Sequence, residues 1–220
     1  MRNMPEASQS SQPDNQLSLR QMRRALIALS LRRQKPGTGS SLAFLQRRTA
    51  MNRWPDLRHI LKEIPWVVVG GVATRAYMPE RMTQDLDILV RQADQVVVVE
   101  KLQAAGFEYL SPLAIPGVLM KSPDGVEVDV LFGDMPWAAQ ALQHPRHDAA
   151  GFPVLDLPYL VLMKMDAMRT QDWADIARML GGASVQVLDA VRQVIQEYSP
   201  QDSEDLEALI YLGQQEYRSR

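Results

Sequence analysis

From residue 64 onward the chain moves between two hydrophobic rhythms, one of strands and one of helices. Trp66-Val-Val-Val69 is a β-branched apolar run ended by Gly70-Gly71, so it reads as a buried strand. Val72–Met78 follows as a helix and Leu86–Val90 as a second strand. Ala93–Ala105 reads as a helix closed by Gly106. Phe107–Leu110, Gly117–Lys121 and Val126–Phe132 are further strands, the last two joined by a turn at Pro123-Asp-Gly125. From Met135 onward strand signals vanish, and helices are expected over 136–143, 157–168, 172–180, 185–198 and 202–214. Upstream, a short helix is expected around Asp56–Glu63, stopped before Pro65. Leu19, Met22, Leu26 and Leu29 recur near helical spacing among arginines and predict a basic amphipathic helix from Leu17 to about Gln34. Residues 1–15, rich in Ser, Gln, Asn and Pro, read as disordered, and residues 36–41 as a flexible break.

Strands interleaved with helices and followed by an all-helical tail predict an α+β fold, with a C-terminal helical half packed beside the sheet. The organisation expected is a basic extension over 1–50, an α/β core over 51–134 and a helical region over 135–220. A groove between such halves is a common place for a ligand. No apolar run approaches the roughly 18 residues of a membrane span. With no cysteine, a disulfide framework, a cysteine-ligated zinc and a thiol nucleophile are all excluded. The absence of a signal-peptide core makes cytoplasmic the default compartment. Net charge is only −2, but it is unevenly spread: residues 1–50 hold nine basic and two acidic side chains, the remainder a clear acidic excess. Three readings of that basic segment stand: a nucleic-acid contact, a dock for a partner or membrane surface, or a leader ahead of a true start at Met51.

The candidate chemistry lies in the acids. On a strand, Asp85 and Asp87 share one face while Leu86, Ile88 and Val90 share the other. Two carboxylates this close repel unless a proton or a cation neutralises them. The same alternation recurs in Val126-Glu-Val-Asp-Val130, and Asp129 joins Asp85 and Asp87 if the two strands are sheet neighbours. Three carboxylates on rigid strands suit Mg²⁺, which takes oxygen ligands and completes its shell with water and substrate phosphates. Alternating acids are equally routine on the solvated face of an antiparallel sheet.

Gly70-Gly71, between strand and helix, is a place where backbone can approach a phosphate closely, although a tight turn explains it as well. Strand, Gly-Gly, helix and Asp-x-Asp strand together make one unit of about 25 residues. Val69-Gly-Gly-Val-Ala-Thr-Arg75, followed by Arg81-Met-Thr-Gln-Asp-Leu-Asp-Ile88, resembles the signature of the polymerase-β-like nucleotidyltransferase superfamily. It is most similar to the Gly-Gly branch that contains AbiEii-type toxins of toxin–antitoxin systems. Downstream, Lys164-Met-Asp-Ala-Met-Arg169 and Asp172-Trp-Ala-Asp175 resemble the helical segment of the same group, and the likeness spans roughly residues 64–180. Two departures stand out: many members carry Gly-Ser where this chain has Gly70-Gly71, and the chain is short for an AbiEii-type toxin.

The resemblance implies a nucleotidyltransferase fold, a small mixed sheet flanked by helices. It also implies Mg²⁺-dependent transfer of a nucleoside monophosphate from an NTP to an acceptor hydroxyl. Asp85, Asp87 and Asp129 would be the catalytic metal ligands, and Gly70, Gly71, Thr83 and Lys164 would bind nucleotide phosphate. The acceptor would be an RNA end, a protein hydroxyl or a small molecule, with an antitoxin protein as a further partner. Lys164 also stands out physically, because a lysine in an apolar stretch calls for an anionic partner. Arg169, Asp172 and Asp175 read instead as a structural ion-pair set across a helix break. The competing reading is a catalytically inactive relative of the fold that binds nucleotide or a partner protein. His144 and His147 beside Asp148 lack a third distant ligand and read as exposed loop residues, and Met165, Met168 and Met179 as core filler.

Overall fold

The computed structural model describes residues 54–79, 83, 85–167 and 169–218. The basic helix expected from Leu17 to Gln34, the break at 36–41, and Arg81 of the motif lead-in lie outside these residues. Strand β1 (Trp66–Val68) leads into a four-residue helix, α1 (Gly70–Ala73), which tightens into a 3₁₀ turn over Thr74–Ala76. The helix expected over Val72–Met78 is therefore a single turn that starts two residues earlier. Strand β2 (Leu86–Arg91) and helix α2 (Gln95–Ala104) follow, then β3 (Glu108–Pro112), β4 (Gly117–Lys121) and β5 (Glu127–Gly133). After helix α3 (Ala138–Gln143) come two two-residue strands, β6 (Arg146–His147) and β7 (Pro153–Val154). Helices α4 (Leu157–Ala167), α5 (Thr170–Gly181), α6 (Val185–Tyr198) and α7 (Ser203–Arg218) complete the described chain.

The seven strands form one mixed sheet in the order β3-β4-β5-β2-β1-β7-β6, which makes the fold α+β. The hairpin between β4 and β5 forms as the turn sequence requires, with Gly125 at φ 84°, a left-handed conformation that other residues resist. Strands β2 and β5 run parallel and side by side, β1 antiparallel to β2, and β7 parallel to β1. Two details depart from the hydrophobic pattern. Residues 56–63 form turns with isolated hydrogen bonds, such as Leu61 N–H to Leu57 C=O at 2.8 Å, in place of a helix. Leu57 and Leu61 are buried in the core in this turn conformation, and Pro65 disfavours helical backbone at the residue before it. β6 and β7 give no sequence signal, because two residues cannot display a period of two.

One core joins sheet and helices. Val67, Val68, Leu86, Ile88 and Val90 are fully buried in the sheet, and Leu160, Val161, Ile176, Val191 and Ile195 carry that core into the helical half. Leu89 is buried as well, on the face that Asp87 shares, since Gly133 lets its side chain lie close and Ala138 packs beside it. The acid-bearing face is thus sealed at one end and open at the other, where Asp87 sits. No helix among the described residues is long and apolar enough to cross a membrane.

Candidate functional site

The register of β2 against β5 pairs Asp87 with Asp129 directly, so the two acid-x-acid strands lie side by side. Asp85 stands one step outside β2 on the same face, and Thr83 Oγ1 donates to its Oδ1 at 2.8 Å. One carboxylate oxygen from each of Asp85, Asp87 and Asp129 lies within 4.8 Å of the other two. This is the one group of acids and histidines among the described residues arranged to share a cation. His144 and His147 do not converge on Asp148. That carboxylate accepts from Arg75 Nε at 2.8 Å and from the backbone N–H groups of Ala150 and Phe152.

Gly70 explains how Asp87 is accommodated. The Val69 N–H donates to the Asp87 backbone carbonyl at 2.9 Å, which fixes the turn against β2. Gly70 then adopts φ 61°, and a methyl group placed on it would lie 2.5 Å from the Asp87 Cγ. Two independent features therefore require glycine: the left-handed backbone and the carboxylate filling the space of a side chain. At Gly71 the backbone N–H faces the Asp87 carboxylate.

The three acids repel one another. Burial and the charges of Asp85 and Asp129 push Asp87 up from 3.8 to about 7, and the Gly71 N–H and the charge of Arg169 only partly oppose this. Asp129 is raised too, by burial and by Asp85 and Glu127. A protein that holds acids in this state on rigid strands stores affinity for a proton or a cation.

Asp87 and Asp129 open into a cleft of about 560 Å³ between the sheet and α4. Its apolar wall comes from Leu113, Ala114 and Ile115 in the β3–β4 loop, with Leu131, Leu160 and Met163. Ile115 is 58% exposed on this wall. The hydrophobic pattern did not point to this loop.

Lys164 also lines the cleft, but its charge is engaged behind it. Its Nζ is buried and donates to Asp172 Oδ1 at 2.8 Å and to Asp175 Oδ2 at 2.9 Å. Arg169 completes the set, with Nε donating to Asp172 Oδ2 at 2.7 Å. Burial acts to raise Asp172, but the hydrogen bonds and charges of Arg169 and Lys164 outweigh it and hold the carboxyl below its ordinary value. The ion-pair set across the helix break therefore includes Lys164. Its signal in the sequence is the placing of Asp172 and Asp175 on the same helical stripe as Ile176 and Met179, where a buried partner is compulsory. Replacing Lys164 with methionine is expected to destabilise the chain by about 3–5 kcal/mol, as two buried acids lose their shared cation. Urea unfolding of the variant would check this; an unchanged midpoint would contradict it.

No family model matches the chain, and no curated protein matches it either. Among solved structures it is similar to the antibiotic-resistance factor ANT(2'')-Ia. The solution structure aligns at 14% identity and a TM-score of 0.41, over 74% of this chain and 90% of that one. A crystal complex of the same factor with adenylyl-2''-tobramycin aligns at 16% identity and a TM-score of 0.39, covering 73% and 94%. A Thermotoga maritima protein described as a candidate nucleotidyltransferase aligns at 14% identity and a TM-score of 0.41, covering 58% and 91%. These likenesses are too distant to carry chemistry from one chain to the other.

Proposed function

We propose that the chain is a Mg²⁺-dependent nucleotidyltransferase that moves a nucleoside monophosphate from an NTP to an acceptor hydroxyl. The observation that carries this reading is the convergence of Asp85, Asp87 and Asp129 at the mouth of a cleft beside the Gly70-Gly71 turn. The donor set fits the ion: three carboxylates, all hard oxygen ligands, with a mutual repulsion that a divalent cation relieves. Asp85, Asp87 and Asp129 would hold it. Bound there, Mg²⁺ would neutralise phosphate charge and acidify the attacking hydroxyl.

The rest of the chemistry belongs to the chain. In the transfer, the acceptor oxygen bonds to the α-phosphorus as the bond to the bridging oxygen breaks and pyrophosphate leaves. Asp129, half-buried and paired in register with Asp87 at the cleft, is the group proposed to receive the hydroxyl proton. Of the two glycines proposed to meet phosphate, Gly70 lines the cleft, while Gly71 is buried with its N–H directed at the Asp87 carboxylate. Thr83 steadies Asp85 through its hydroxyl. The apolar wall of Leu113 to Ile115 offers a surface for a nucleobase or for an acceptor with an apolar face. The Gly-Gly signature supports a place in the AbiEii-like branch, and with it a toxin role restrained by an antitoxin protein.

The test is transfer of label from α-phosphate-labelled NTPs to RNA, to protein and to aminoglycosides, run with native chain and with Asp129→Asn. Label on one acceptor class, lost in the variant, is expected. Label transfer undiminished in Asp129→Asn would remove Asp129 from its role.

A further inference from the structure

We infer that Arg169, and not Lys164, is the cation that grips the distal phosphates of the donor nucleotide. The inference rests on the nucleotidyltransferase reading and deepens it. Among the described residues lining the cleft, Lys164 and Arg169 are the two cations. Their situations differ. The Lys164 side chain is 3% exposed, and two of its three N–H groups are directed at Asp172 and Asp175. Turning it toward a nucleotide would leave two acids buried without it.

Arg169 is anchored along one edge only. Its Nε and one terminal nitrogen face Asp172, at 2.7 and 3.4 Å, while the side chain as a whole is 69% exposed. A guanidinium carries five N–H donors, so the outer edge retains donors for a second anion. Asp172 thus fixes the fork in place, and Lys164 fixes Asp172. A positioned fork matches the paired oxygens of a phosphate better than an ammonium does. Arg169 lines the same cleft as Asp87 and Asp129, so a triphosphate held at the acids lies within the cleft that Arg169 faces. If Arg169 were only the outer arm of an ion pair, its exposure would make it nearly dispensable.

Calorimetric titration separates these roles. ATP, GTP, CTP, UTP, their monophosphates and inorganic tripolyphosphate are titrated with Mg²⁺ into native chain, Arg169→Gln, Arg169→Lys and Asp87→Asn. Arg169→Gln is expected to weaken the bound triphosphates and tripolyphosphate about tenfold or more, and monophosphates less than about twofold. Arg169→Lys should recover part of the loss, and the melting temperature of Arg169→Gln should stay within about 2 °C of native. Triphosphate binding within about twofold of native in Arg169→Gln, alongside its loss in Asp87→Asn, would overturn the role of Arg169 and leave the site reading standing. Equal weakening of mono- and triphosphates would overturn it as well. A native chain that binds neither nucleotide nor tripolyphosphate would overturn both.

Discussion

Asp87→Asn is expected to lose transfer by roughly 10²–10³ while melting at a higher temperature than the native chain. The opposite signs share one cause. Asp87 is held between Asp85 and Asp129 in a part-buried position, and its carboxyl is raised from 3.8 to about 7. A folded-state value above the ordinary one means that protonation stabilises the fold. That stability is complete below about 3.8, and it is lost as pH rises through about 7. The ionised Asp87 therefore strains the metal-free protein, by up to about 4 kcal/mol at 1.36 kcal/mol per tenfold step. Asparagine keeps the shape without the charge. Thermal melts of both proteins in chelator should show an advantage for Asn that is absent below about pH 3.8, grows as pH rises from there to about 7, and levels off above it. Mg²⁺ should reverse the ranking, since it displaces the same proton and stabilises the native acids alone. An advantage that shrinks with rising pH would contradict the account.

Gly70→Ala is expected to damage fold and site together. The left-handed backbone at φ 61° costs an alanine about 1–2 kcal/mol. The larger cost comes from the methyl group, which would lie 2.5 Å from the Asp87 Cγ and drive the carboxylate out of its place beside Asp129. A combined loss of about 3–5 kcal/mol follows from backbone strain plus overpacking. The coupling identifies the cause. In an Asp87→Ala background most of the clash disappears, so the cost of Gly70→Ala should fall to the backbone part alone. Equal costs in both backgrounds, measured by denaturant unfolding, would place the strain elsewhere.

The acid cluster was legible in the sequence because strands alternate: once β2 and β5 are neighbours, Asp87 and Asp129 must share a face. The β4–β5 hairpin and the helix over Val185–Tyr198 were legible from a clean period bounded by turn or cap residues. The helix over Leu157–Ala167 was legible from the length of its apolar run. What was not legible depends on distant partners. The order of strands, with β1 between β2 and β7, follows from tertiary packing that no local pattern encodes. The ion pairing of Lys164 was hidden too. Sequence spacing shows a lysine in an apolar stretch; it does not show that Asp172 and Asp175 return across the helix break to meet it. The requirement for glycine at position 70 had the same limit, since the turn motif predicts a tight bend but not that Asp87 fills the vacated space.

The central claim is that Asp85, Asp87 and Asp129 bind nucleotide through a divalent cation. Its most direct test is calorimetric titration of ATP, GTP, CTP and UTP, with and without Mg²⁺, into native chain and into Asp85→Asn/Asp87→Asn. The account predicts binding of at least one nucleotide that needs both the ion and the acids. Binding of equal strength without Mg²⁺ or in the double variant, or no binding by any of the four, would contradict it.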